Sequence, residues 1–279
     1  MSKNTPNVSR KTLIVVVLAA LLTTVFIVYD FPQLINTNLT KVAYSEHAYV
    51  DYYYDPQVPQ EEQRVVCIVF DDGWLTQYTN ALPILEEHGF KATFSIITDY
   101  PDKNPSYMDW KQIVALHDQG HDIESHTADH SILTLQNESA IEYQLSQSKQ
   151  DLLKHGINAP LFIYPNGEGA GNSTVESLVQ QNYCAARGII HGNIDMNQPF
   201  NPYALPAYEV RNSTTLEMFK NYVNQANGSN IVIIFYHQIS DGSVYTSATI
   251  KDFADQMQYL SDNNFEIKTL KQLFTSIEV

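Results

Sequence analysis

Two stretches of this chain carry the residue types that hydrolytic chemistry at a metal needs. Asp71-Asp72-Gly73 closes an apolar run over residues 65–70, and His126-Thr127-Ala128-Asp129-His130 sets two imidazoles four residues apart. Together they offer two nitrogen ligands, one oxygen ligand and a spare carboxylate. A catalytic metal site uses three protein ligands, an open position for water and a base beside it. Asp71 and Asp72 are neighbours at the end of an extended run, so their side chains diverge: one can ligate while the other faces the water. Asp-Asp-Gly is also an ordinary turn. The spacing of His126 and His130 is that of two ligands on one helical turn, though a pair of solvated histidines has the same pattern. Glu124 and Asp129 are candidate acceptors for the ring N–H groups. His121, five residues before His126, reads as structural.

Two later segments add to these. Tyr164-Pro165-Asn166-Gly167 breaks an apolar run into a turn whose backbone N–H groups could face a developing oxyanion. The run 231–236 ends in His237. An imidazole there could protonate a leaving amine near neutral pH, or be a satisfied core histidine.

The elements that must position these groups follow from the hydrophobic pattern. Short apolar runs at 65–70, 92–97, 121–124, 160–164, 183–187 and 231–236, with a weaker one at 265–268, read as strands. Longer amphipathic stretches near 78–88, 108–119, 138–154, 173–182, 215–225, 248–262 and 269–276 read as helices. In the fourth of these, Ser173 followed three residues later by Glu176 resembles a capping pair. Strands alternating with helices predict an α/β fold with a parallel sheet, and about seven units suit a distorted (β/α) barrel. In such a barrel the C-terminal strand ends share one face, where active sites are built. Asp71-Asp72, His126, Asn166 and His237 all follow strand ends, so four motifs far apart in sequence converge on one mouth.

The formal net charge is −15, and Lys3, Arg10 and Lys11 are the only charged side chains before Asp30. Without those three positive charges the body from residue 30 onward stands at −18. A body this acidic repels phosphates, which argues against nucleic-acid binding. It attracts cations, including metal ions and amino sugars. Residues 12–29 form an uncharged run of 18, nearly enough to cross a bilayer of roughly 30 Å. The basic residues before it favour an N-terminus inside and a body outside. No small-x-small site ends the run cleanly, so an uncleaved signal-anchor is expected, with a cleaved signal peptide as the alternative. The domain plan is a cytoplasmic N-terminus over 1–11, a transmembrane helix over 12–29, a stalk over 30–63 and a catalytic domain over 64–279. Cys67 and Cys184 lie in apolar stretches and are expected as free thiols.

The motifs Phe70-Asp71-Asp72-Gly73, Gly120-His121-Asp122-Ile123-Glu124-Ser125, His126-Thr127-Ala128-Asp129-His130, Tyr164-Pro165-Asn166-Gly167 and Tyr236-His237, in this order, resemble those of the polysaccharide deacetylases, the NodB-homology domain of carbohydrate esterase family four. The resemblance covers roughly residues 64–277 and is nearest in style to the subgroup acting on poly-N-acetylglucosamine. It implies Asp71 as general base, and Asp72, His126 and His130 as ligands of a divalent metal. Zinc is the default, with cobalt, nickel and manganese also suited. It further implies the Asn166 backbone N–H at the oxyanion and His237 as general acid. The activity so implied is metal-dependent N-deacetylation of an N-acetylglucosamine-containing extracytoplasmic polysaccharide, with release of acetate. Two departures stand out. Ile163 occupies the place where many members carry an arginine that orients the base, and Leu205-Pro206 is followed by Ala207 where the subgroup usually has one. Arg187 and Arg211 are candidates to substitute. Without a substitute the chain would be a glycan-binding relict. A third reading is an amidohydrolase acting on a non-sugar amide. A groove lined by Trp74 and Tyr164 would favour a polymer over a small amide.

Overall fold

Six consecutive apolar residues form the strand on which the rest is organised. In a computed structural model that describes residues 63–242 and 244–274, with the strands β1 (Thr40–Tyr44) and β2 (Ala48–Tyr52), every residue of β3 (Val65–Phe70) is buried. A strand covered on both faces reads as a continuous apolar run, as parallel strands under helices do. On one edge β3 pairs with β10 (Asn230–Tyr236). On the other it pairs with β11 (Glu266–Lys268) at its start and β4 (Thr93–Ile96) at its end. The sheet continues from β4 through β5 (Asp122–Ser125) and β6 (Leu161–Ile163) to β7 (Ala185–Arg187), all parallel. All seven expected strands are present. Two short ones were not expected: β8 (Ile194–Asp195), antiparallel to the start of β10, and β9 (Tyr208–Glu209), parallel to its end.

The result is an α/β half-barrel of mostly parallel strands. Its open edges approach at the mouth. Leu205 bridges to Arg187 of β7, with Leu205 N–H to Ala186 O at 2.9 Å and Gly188 N–H to Leu205 O at 3.0 Å. A few residues on, β9 pairs with β10, and Val210 N–H reaches Phe235 O at 2.9 Å.

The two-residue period of a strand decides which side chains enter the barrel. Val65, Cys67 and Val69 pack with Ile231, Ile233, Phe235, Leu161 and Ala185 in the inner cluster. Val66, Ile68 and Phe70 pack outward against Leu82, Leu85, Phe253, Met257 and Leu260. Asp71, Arg187 and His237 continue the inward-facing series of their strands. Phe70 anchors the end of β3 between Phe94 (ring centroids 4.8 Å apart), Tyr236 (5.6 Å) and Phe253 (5.8 Å). Truncating such a buried ring costs about 3–5 kcal/mol.

The outer helices are α1 (Leu82–Glu87), α2 (Trp110–Asp118), α3 (Glu138–Lys154), α4 (Ser173–Val179), α5 (Leu216–Val223), α6 (Ile250–Asp262) and α7 (Leu270–Leu273). Each matches an expected helix to within a few residues. The cap of α4 is Asn172 rather than Ser173: its side-chain oxygen accepts from Thr174 and Val175 N–H at 3.1 Å each. Glu176 instead accepts from Gly171 N–H at 2.6 Å. An amide oxygen one residue earlier reaches the free N–H groups of the first turn, so the Ser173 hydroxyl is not needed.

Cys67 and Cys184 are free thiols. The expected transmembrane segment 12–29 lies outside the described residues. Among the described residues no helix is long and apolar enough to cross a membrane. Within the expected stalk, β1 and β2 pair as an antiparallel hairpin, Val42 opposite Val50, an element the sequence reading lacks.

Candidate active site

Asp72, His126 and His130 come together at the mouth, and their nearest ligand atoms all lie within 4.8 Å of one another. Asp72 Oδ1 stands 3.3 Å from Nε2 of His126 and 3.3 Å from Nε2 of His130. Atoms about 2.0–2.1 Å from a shared ion in a tetrahedron are roughly 3.3 Å apart, so the two Asp72–histidine spacings suit a shared divalent ion. Asp72 Oδ1 is buried and has no hydrogen-bond partner, as expected of an oxygen waiting for a cation. The other oxygen is fixed by Trp74 Nε1–H at 2.8 Å. Nδ1 of His126 lies 2.8 Å from the carbonyl of Ile163, which aims Nε2 at Asp72. That carbonyl, rather than Glu124 or Asp129, serves the ring: Glu124 accepts from Leu161 N–H at 2.8 Å, and Asp129 from Ser131 N–H at 2.9 Å. Burial alone would raise the Asp72 carboxyl, but the imidazoles of His126 and His130 beside it hold it well below the usual range. Burial alone would lower His130, and Asp72 outweighs it and raises the imidazole.

The histidines do not sit on a helical turn. Thr127 (φ 66°) and His130 (φ 68°) are left-handed, as are Asp72 (φ 77°) and Asn166 (φ 54°). Four of the six such non-glycine residues in the described chain thus lie in the motifs. Positive φ is strained for a β-branched threonine and persists only where the surroundings fix it. They do: Thr127 Oγ1 donates to His126 O at 2.5 Å and accepts from His130 N–H at 2.9 Å. Gln144 Oε1 receives Ala128 N–H at 3.0 Å and Asp129 N–H at 3.2 Å. The turn brings both Nε2 atoms to one oxygen, which the helical spacing would have done differently. His121 is structural as read: its Nδ1 accepts from Ala92 N–H at 3.2 Å, and burial, aided by the Lys91 charge, lowers it to about 4.

Asp71, next to this cluster in the chain, is held by a second one. Arg187 Nη2 donates to Asp71 Oδ1, and Ser95 Oγ donates to the same oxygen at 3.2 Å. Arg187 is fully buried, and its guanidinium lies 4.3 Å from the centroid of the Phe235 ring. The arginine absent from position 163, at the end of β6, is therefore supplied by the end of β7, the next strand in sequence. A charged residue closing the apolar run 183–187 is the signal for it.

His237 lies across the mouth, with Nδ1 3.6 Å from Glu209 Oε1. That is too long for a hydrogen bond and near enough for an ion pair. Arg211 Nη2 holds Glu209 Oε2, and Arg211 Nη1 donates to Tyr245 Oη at 2.6 Å. Arg211 thus lies on the His237 side of the mouth, not beside Asp71. Glu209, Ser95 and Gln144 were not legible as site residues. Glu209 alone carries a signal, a carboxylate between Tyr208 and Val210. Asn166 sits in the Tyr164–Gly167 turn, where a Cβ on Gly167 would collide with Ile189. Trp74 is half-buried and stacks on Tyr107 with centroids 4.2 Å apart. Tyr164 is buried against Phe162 and does not line the mouth.

A half-barrel with two histidines and an aspartate at its mouth, beside an arginine-held carboxylate, has the donor set of a metal-dependent hydrolase. Residues 59–185 match the family model described as polysaccharide deacetylase. It is 33% identical over 101 residues to the peptidoglycan-N-acetylglucosamine deacetylase of Bacillus cereus, a match over 36% of this chain and 35% of that one. The chain thus spans about a third of the length of that curated relative. Its fold is shared with a structure described as T48 deacetylase with substrate, at 20% identity and TM-score 0.55 over 79% of this chain and 96% of that one. It is also shared with a CE4 family pseudoenzyme from Bacillus anthracis, at 14% identity and TM-score 0.55 over 77% and 66%.

Proposed function

We propose that the chain is a divalent-metal-dependent hydrolase that removes acetyl groups from N-acetylglucosamine units of an extracytoplasmic polysaccharide. The observation that carries this reading is the Asp72–His126–His130 cluster beside an Asp71 fixed by Arg187. A divalent ion held by those three residues, zinc by default, would supply Lewis acidity to the acetyl carbonyl and acidify the attacking water. Asp71 takes the water proton on Oδ2, because Oδ1 is occupied by Arg187 and Ser95. The Asn166 backbone N–H faces the developing oxyanion. His237, with Nδ1 toward Glu209, passes the Nε2 proton to the departing sugar nitrogen and leaves acetate and a free amine. The uncharged run 12–29 after Lys3, Arg10 and Lys11 supports a membrane-anchored body outside the cytoplasm.

The test is acetate release from acetylated chito-oligosaccharides by the full chain with added zinc. Turnover by the wild type, and its loss in Asp71→Asn with metal content unchanged, is the expected result. No release with any of zinc, cobalt, nickel or manganese would overturn the enzyme reading. The fold is shared with a pseudoenzyme, so the fold alone does not carry activity. Metal and sugar binding without acetate release would select the glycan-binding alternative.

A further inference from the structure

We propose that Gln77 is a positioning residue that sets the separation between the base and the acid, an inference that rests on the roles given above to Asp71 and His237. The parallel ladder between β3 and β10 ends where Asp71 N–H reaches Tyr236 O at 2.8 Å. Beyond that point no strand pairing holds the two chain segments in register. Gln77 takes over: its Nε2 donates to Asp71 O at 2.6 Å and to His237 O at 2.9 Å. One side-chain amide thus ties together the backbones of the residue that takes the water proton and the residue that protonates the leaving nitrogen.

The surroundings show that this amide is there for geometry. Gln77 is fully buried, and its Oε1 has no hydrogen-bond partner. A buried, unpaired amide oxygen is destabilising, and a methionine of the same length would fill the space without that cost. The element carrying it is a π-helical turn, Gln77–Ala81, closed by Leu82 N–H to Gln77 O five residues back. Pro83 follows at once, and its ring would crowd the carbonyl of Thr79 in a regular helix, so the wider turn relieves the clash. Thr76 and Asn80 reach the same loop. Thr76 Oγ1 accepts from Ile239 N–H at 3.3 Å, and Asn80 Nδ2 donates to Ile239 O at 2.7 Å. Three side chains of one turn therefore fasten the loop that starts at His237.

A displacement of about 1 Å between catalytic groups costs about a hundredfold in rate. In the full, metal-loaded chain, Gln77→Met is expected to lower kcat about tenfold to a hundredfold, with KM within about twofold of wild type and metal content unchanged. The pH profile of kcat/KM is expected to change shape, because the acid is no longer held opposite the base. A merely structural role would reduce the active fraction and leave KM and the profile of the remaining activity as they were. That outcome, or wild-type kcat, overturns the proposal. Gln77→Glu keeps the length and one polar atom, and gives the same reading if Gln77→Met does not fold. Amide hydrogen exchange separates this inference from the deacetylase reading, since it needs no turnover. Exchange at Ile239 should quicken in the variants while residues 231–236 stay protected. Unchanged exchange at Ile239 overturns the clamp even if the wild type is active, and a wild type that releases no acetate with the clamp intact overturns only the proposed activity.

Discussion

Two arginine–carboxylate pairs flank the same mouth, and burial separates them. The side chains of Arg187 and Asp71 are 0% and 5% exposed, whereas those of Arg211 and Glu209 are 35% and 10% exposed. The first pair fixes Asp71, the base of the proposed reaction, and the second faces His237, its proposed acid. Removing one partner of a fully buried pair leaves a charge with no water to turn to. Removing Arg211 leaves Glu209 near the rim, where water can replace it in part. Asp71 is therefore held by the fold itself, while Glu209 beside His237 is held by a device that can be trimmed. The proposed roles suit this division: a base takes its proton at one fixed point, and an acid follows a leaving group.

The comparison breaks or sharpens under mutation, metal titration and salt, the largest effect first. Asp71→Asn should cut turnover by about a thousandfold while metal per chain stays constant, because the ligands are untouched. Arg187→Ala should lower the free energy of unfolding by about 3–5 kcal/mol in a denaturant titration. The double variant Asp71→Asn with Arg187→Met should recover most of that stability and none of the activity. If Arg187→Ala is instead as stable as wild type, the pair is not buried as described and the contrast fails.

Zinc uptake by the metal-free chain is next. His130 is raised above the ordinary 6.5 by Asp72, so its proton must leave before the nitrogen can ligate. Affinity should rise with pH through the region above 6.5, by up to about tenfold per pH unit. The linked stability has the opposite sign. A raised imidazole stabilises the metal-free fold fully below 6.5, and that contribution is lost as pH rises through the folded value. Calorimetric titration at several pH values, with melting curves of the metal-free chain, checks both.

Arg211→Ala should lower kcat/KM about tenfold by removing the guanidinium that fixes Glu209 beside His237, with a stability change below about 1 kcal/mol. A stability loss as large as that of Arg187→Ala would erase the comparison. The smallest effect is that of salt. At about 1 M ionic strength the Debye length falls to about 3 Å, so the partly exposed Arg211 pair should weaken while the Arg187 pair does not. Wild-type activity should then move toward that of Arg211→Ala, and Arg211→Ala itself should respond less.

Much of the frame was legible in the residues. The apolar runs placed all seven expected strands because parallel strands under helices bury both faces and leave a continuous hydrophobic signature. The amphipathic stretches placed the helices, with α3 matched residue for residue at Glu138–Lys154. The ligand types and their order at strand ends were equally visible. Less visible were contacts between residues far apart in the chain. Arg187 meets Asp71 across 116 residues, and Gln77 meets His237 across 160. The strands β8 and β9 are two residues each, too short to show any period. The spacing of His126 and His130 suggested a helix because periodicity does not register left-handed residues such as Thr127.

By itself, then, the sequence determined the kind of sheet, the parity that sends Asp71, Arg187 and His237 inward, and the set of atoms able to ligate a metal. Those follow from local pattern and chemical type. The tertiary structure decided which partner each group has: Arg187 rather than Arg211 for Asp71, the Ile163 carbonyl rather than Glu124 or Asp129 for His126, and Glu209 for His237. Partner choice depends on which chain segments the closing barrel brings within hydrogen-bonding distance, a property of the packed whole that no stretch of residues carries alone.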